Sequence, residues 1–261
     1  MPAGCRAAGA ALLAALLAAL PGLAAAQQIL DFPKGYAFSA AEVNALAARS
    51  FGARLRTLAL AGDLDPDPAL KARLQRIFPS LLRAAAAERP AAAHLQWEVH
   101  SCGKCDENAS AMAGGKLLVS AQFVERLGLS DDELAYLLAH EMGHVLAEHT
   151  REMASAARYF VDNGRRRDYA DIQQELAQSY AVMIEMRPLY VQQELEADYI
   201  GFVLGAQAGF RPHAMLSLLA KLGDGGDTLV ATHPSEAARL RQARVMLDAM
   251  RRLYTRTHNR P

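Results

Sequence analysis

An α-helix turns by about 100° per residue, so side chains four positions apart differ by only about 40° and share one face. His140 and His144 stand at that separation, with Glu141 beside the first, in the run His140-Glu141-Met142-Gly143-His144. The spacing demands a helix that turns both imidazoles toward one point. Local signals place such a helix there. Ser130 is a natural N-cap, Asp131 and Asp132 put negative charge in the first turn, and Glu133 stands at the capping-box position. From Leu134, the positions Leu137, Leu138, Glu141, His144 and Val145 recur at three- and four-residue steps. This periodicity predicts an amphipathic helix from about Ser130 to about His149.

Paired imidazoles at ligand spacing suit zinc, and a catalytic zinc site needs a third protein ligand and one position left for water. A third histidine six residues after His144 would complete one known solution, but that position is Thr150, and Ala147 stands where a glycine would be needed. His149 falls one residue short and, on an unbroken helix, is turned away. Much farther along, Glu194-Leu195-Glu196-Ala197-Asp198 repeats the four-residue spacing with carboxylates. Glu194 is therefore read as the third ligand of one Zn2+ per chain. Asp198, one turn on, is read as the acceptor for the free ring N–H of a ligand histidine, His140. Glu141 is the expected base, close enough to take a proton from a water at the metal. His94, His100, His149, His213 and His258 have no partner at ligand spacing and read as structural or exposed.

With these pieces in place the chain resembles the gluzincin metallopeptidases that include HtpX, the CAAX prenyl proteases, the mitochondrial Oma-type proteases and the periplasmic BepA and LoiP proteins. Four blocks match in order over roughly residues 95 to 245: the Asn-Ala-x-x-x-x-Gly-Gly segment in Asn108 to Ser120, Asp132-Glu133-Leu134 with His140 to His144, Glu194 to Asp198, and Thr232-His233-Pro234 followed by Arg239. The resemblance implies an α+β, mostly helical endopeptidase fold, in which a zinc-bearing helix pair lies beside a small sheet whose edge strand binds substrate. Strand character at Leu95 to His100 and at Lys116, Leu117, Leu118 and Val119, with a Gly114-Gly115 turn ahead of the second stretch, agrees with this. Lys116 to Val119 is the expected substrate strand, holding peptide by strand addition. His233 and Arg239 are the expected oxyanion donors. The resemblance also allows His233 to close the metal site as an extra ligand.

The N-terminus carries a second signal. Arg6 precedes an apolar run from Ala7 to Leu20, then come Pro21-Gly22 and Leu23-Ala24-Ala25-Ala26 before Gln27. This reads as a signal peptide over residues 1–26, cleaved after Ala26, and implies a periplasmic protein, with secretion or membrane association as the other destinations of an exported chain. Cys5 precedes the apolar run and so is not a lipoprotein attachment site. No later uncharged apolar run reaches about 18 residues, which predicts no transmembrane anchor once the signal is removed and favours the soluble exported BepA/LoiP-like branch. In an oxidising compartment Cys102 and Cys105, spaced as Cys-Gly-Lys-Cys, are expected to form a local disulfide.

The 28 acidic and 28 basic residues cancel. The chain therefore has no basic field for nucleic acid, and polypeptides are the expected partners. Residues 27–261 read as a single metallopeptidase domain, with N-terminal helices over 27–90, a catalytic core over 91–245 and a helix end and tail over 246–261. Helices are predicted over Ser39 to Ala61, Ala69 to Glu88, Pro212 to about Leu222 and Pro234 to Tyr254. Thr150 to Gln193, broken by a basic turn at Asp162 to Asp168, is the expected plug that limits access. The expected activity is hydrolysis of misfolded or misassembled cell-envelope proteins. A chaperone-like or assembly factor with a latent zinc site, and a disulfide exchanger using Cys102 and Cys105, are the rival readings.

Overall fold

A computed structural model describes residues 36–105, 108–223 and 236–258. The expected signal peptide and His233-Pro234 lie outside them. Helix α1 (Ala40–Leu60) is capped by Ser39, and α2 (Pro68–Glu88) by Asp67 with proline in its first turn. Three short strands follow: β1 (Glu98–Cys102), β2 (Ala109–Met112) and β3 (Lys116–Ser120). Gly114 and Gly115, with φ of 80° and 89°, make the turn from β2 to β3 in a region closed to most side chains. Helices α3 (Ala121–Arg126) and α4 (Asp131–Leu146) come next. In α4 the Ser130 and Glu133 side chains cap one another's backbone N–H groups, as their spacing predicted.

Three helices occupy the predicted insertion: α5 (His149–Ala157), α6 (Tyr169–Gln178) and the first turns of α7 (Tyr180–Gln207). The chain closes with α8 (His213–Leu222) and α9 (Glu236–His258). The fold is α+β and mostly helical, as expected, and among the described residues no helix is long and apolar enough to cross a membrane.

The sheet corrects one expectation. Its strand order is β1-β3-β2, with β1 parallel and β2 antiparallel to β3. Lys116, Leu117, Leu118 and Val119 thus lie on the central strand, paired on both sides and buried, and cannot accept a further strand. Among the described residues, the strand with a free side near the paired histidines is β2, which packs against α4. Ser120 donates its N–H to the Asn108 carbonyl. Antiparallel alternation then directs Ser110 and Met112 toward β3, and the backbone groups of Ala109 and Ala111 toward the open side.

Two larger apolar cores organise the helices, and a third small cluster of Phe51, Cys102 and Leu118 seats α1 on the sheet. The larger joins α2, α4, α8, α9 and the second half of α7, and includes Leu134, Leu138, Phe202 and Leu204. A smaller one joins α1, α5, α6 and the first half of α7 through Val43, Met153, Ile172, Leu176 and Met186. The α4–α7 contact is close because glycine permits it. A Cβ on Gly143 would come within 2.8 Å of the Ala197 carbonyl oxygen.

Candidate metal centre

Helices α4 and α7 bring their four-residue motifs face to face. His140 and His144 project from α4, and Glu194 meets them from α7. The two Nε2 atoms lie 3.1 Å apart. Glu194 places Oε1 3.3 Å from His144 Nε2 and Oε2 3.5 Å from His140 Nε2. Donors held about 2.0–2.1 Å from a tetrahedral zinc are separated by about 3.3–3.4 Å, and the two imidazoles stand near that spacing with one Glu194 oxygen turned to each. Their chemistry fits too. With ring protons on the Nδ1 side, two imidazole lone pairs and a carboxylate converge on one point, an arrangement that repels itself unless a cation sits among them.

The Nδ1 side of His140 is settled by Asp198, whose Oδ1 lies 3.0 Å away, as the ExxxD spacing predicted. Asp198 is in turn gripped by Arg239, whose Nε and Nη2 donate to Oδ2 and Oδ1, each at 2.6 Å. This forked pair is almost entirely buried. Burial alone would raise the Asp198 carboxyl, but the Arg239 guanidinium outweighs it and, with help from His140, holds the group below the usual carboxylate range. The expected role of Arg239 as oxyanion donor is therefore corrected: two of its nitrogens are spent on Asp198, behind His140. Burial likewise disfavours charge on His144, yet the adjacent Glu194 carboxylate overrides it and raises the imidazole.

Glu141 is half-buried on α4, beside the metal face. Two cavities meet at His144. One, of about 400 Å³, also touches Ala111 of β2, Gln193 and Glu194 of α7, and Gln173 and Leu176 of α6. The other, of about 340 Å³, runs past Ala113, Gly114 and Val145 toward Tyr36 and Arg151. Together they form a groove along the free side of the sheet. The predicted plug supplies a wall of this groove as an ordered helix, α6.

Sequence reasoning missed one residue here. His149, set aside as structural, is buried and its Nδ1 lies 2.9 Å from Nδ1 of His144. The helix breaks between them at Glu148, whose φ of 57° is left-handed. Neither glycine nor asparagine marks that break, so nothing in the sequence announced it. The Cα atoms of Cys102 and Cys105 stand 6.0 Å apart at the end of β1.

A paired-histidine helix and a carboxylate helix beside an open sheet edge define a metallopeptidase-type centre. The model of Peptidase family M48 matches residues 68–247, and the chain belongs to that family. Membership implies a metal, typically zinc. Three relatives are each named mitochondrial metalloendopeptidase OMA1. The Arabidopsis thaliana protein is 33% identical over 61% of this chain and 35% of its own length. The Schizosaccharomyces pombe protein is 31% identical over 57% of this chain and 46% of its own. The Saccharomyces cerevisiae protein is 25% identical over 73% of this chain and 60% of its own. The chain thus spans only about a third to three fifths of the length of these relatives. These matches overturn the expected periplasmic location, because the three relatives are mitochondrial proteins by name, and they support the family without singling out the BepA/LoiP-like branch.

Proposed function

We propose that this chain is a zinc-dependent endopeptidase in which His140, His144 and Glu194 hold one zinc ion and Glu141 is the general base. The observation that carries the reading is three metal-ligating atoms within 4.8 Å of one another, on helices packed beside an open strand edge. When bound, zinc supplies a Lewis acid that brings the ionisation of a water into the neutral range and polarises a peptide carbonyl. The chain's own groups do the rest. Ala109 and Ala111 hold an extended peptide through its backbone, in the groove that His144 lines. Glu141 takes the proton from the attacking water and delivers it to the leaving amide nitrogen. Asp198 and Arg239 keep His140 in the tautomer that presents Nε2. His233 is the candidate donor to the oxyanion.

Recognition through backbone hydrogen bonds tolerates many side chains, which suits unfolded or misassembled polypeptides as substrates. The work is carried by a single catalytic domain, and a Cys102–Cys105 disulfide stiffens the end of β1. Zinc content and casein hydrolysis test this on the full chain. Glu141→Gln is expected to keep about one zinc and lose cleavage, and Glu194→Ala to lose the metal. Zinc retained in Glu194→Ala would sink the ligand set, and cleavage retained in Glu141→Gln would sink the base.

A further inference from the structure

Both metal-facing histidines have something behind them, and the two supports differ. Behind His140 stand Asp198 and Arg239. Behind His144 stands a second imidazole: His149 Nδ1 is 2.9 Å from His144 Nδ1, and His149 Nε2 is 3.4 Å from Oε2 of Glu196. Counting protons fixes the direction of this chain. His144 must leave Nε2 bare toward Glu194 and His140, so its proton is on Nδ1 and donates to His149. His149 accepts on Nδ1, carries its own proton on Nε2, and donates that to Glu196.

We propose that His149, backed by Glu196, is a positioning residue that fixes the tautomer and aim of His144, as Asp198 and Arg239 do for His140. The inference rests on the metal-centre reading above. Three further observations support it. His149 is only 3% exposed, so its ring nitrogens need protein partners. On a continuous helix it would lie about 140° around from His144. The left-handed residue at Glu148 removes that offset by starting α5 in a new direction at His149. Such a conformation is unfavourable for a non-glycine residue, and here the outlier coincides with the aiming of a side chain at the site. Finally, placing the carboxylate of Glu196 one ring away polarises the His144–His149 bond without adding another negative charge next to Glu194.

The test is zinc affinity of the full chain, by competition with a chromophoric chelator, together with the visible spectrum of the Co2+-loaded protein. His149→Phe keeps the ring volume and removes both nitrogens. It is expected to weaken zinc binding by about 10- to 100-fold and shift the Co2+ bands, with the far-ultraviolet circular dichroism unchanged. His149→Gln, which can again accept from His144 Nδ1–H, is expected to recover most of the loss. Glu196→Gln lies at a partly exposed position and is expected to show a smaller change of the same sign, so it decides the matter if His149→Phe does not fold. Affinities and spectra indistinguishable from wild type in His149→Phe and Glu196→Gln would overturn the proposal. So would complete loss of zinc from His149→Phe, which would make His149 a ligand. Failure of the underlying reading shows separately, as a wild-type chain that binds no zinc or a His144→Ala chain that binds it undiminished.

Discussion

Gly201 of α7 lies against His140 of α4 so closely that a Cβ on it would stand 2.7 Å from the His140 amide nitrogen. The backbone that carries the first metal-facing histidine is therefore set directly by the helix that carries the carboxylate. Gly201→Ala must push the two apart, and overpacking of this kind costs about 1–3 kcal/mol. Urea denaturation should show that loss. Zinc affinity should fall with it, because the Glu194–His140 spacing opens. An alanine variant with unchanged zinc affinity would mean that the helix spacing does not set the donor geometry.

Arg239 and Asp198 form a buried pair, so removing one partner strands the other. Arg239→Met is expected to destabilise the fold by about 3–5 kcal/mol and to weaken zinc binding, since Asp198 then no longer holds His140. An oxyanion donor would behave differently, lowering kcat while leaving stability and zinc content intact. Equilibrium unfolding and a zinc titration on one preparation separate the two.

Ala111 turns its backbone N–H to the open side of β2, where proline is tolerated. Ala111→Pro should leave the β2–β3 pairing and the melting temperature nearly unchanged. Losing one backbone hydrogen bond to substrate is worth about 0.5–1.5 kcal/mol, or about a 2- to 13-fold fall in kcat/KM for casein-derived peptides. Undiminished kcat/KM would remove β2 as the substrate edge.

Glu133 supplies a pH prediction well away from the metal. Burial works to raise its carboxyl, but Lys221, Ser217 and the Ser130 cap bring it down from 4.5 to about 2. The folded value lies below the unfolded one, so the stability it contributes is fully present above about pH 4.5 and drains away as pH falls toward 2. Glu133→Gln should therefore be less stable than wild type at neutral pH and should show a shallower loss between pH 4.5 and 2. Parallel stability curves across that window would contradict the assignment.

The metal-facing trio was legible because both of its helices write their geometry into four-residue spacing, which survives any tertiary arrangement. Asp198 was legible for the same reason. The open strand was not, since Ala109-Ser110-Ala111-Met112 has no β-branched or aromatic residue, whereas Lys116 to Val119 looks like a strand because it is buried between two others. Arg239 was recognisable as a site residue but not in its true role, because a guanidinium in sequence does not show which carboxylate will claim it. His149 was lost to the assumption of a continuous helix, broken at Glu148 for reasons that only tertiary contacts supply.

Helix α7 threads both cores, with Met186 and Leu189 in the smaller and Ala206 and Phe202 in the larger, and with Pro188 interrupting its hydrogen-bond ladder before Glu194. The groove wall formed by α6 is thus fastened to one set of apolar contacts, and the metal-facing side chains to another. Loosening the wall to admit a polypeptide draws on the smaller reserve alone, so amides of α6 should exchange with solvent well before those of α4, and the grip on the metal need not slacken each time a substrate enters.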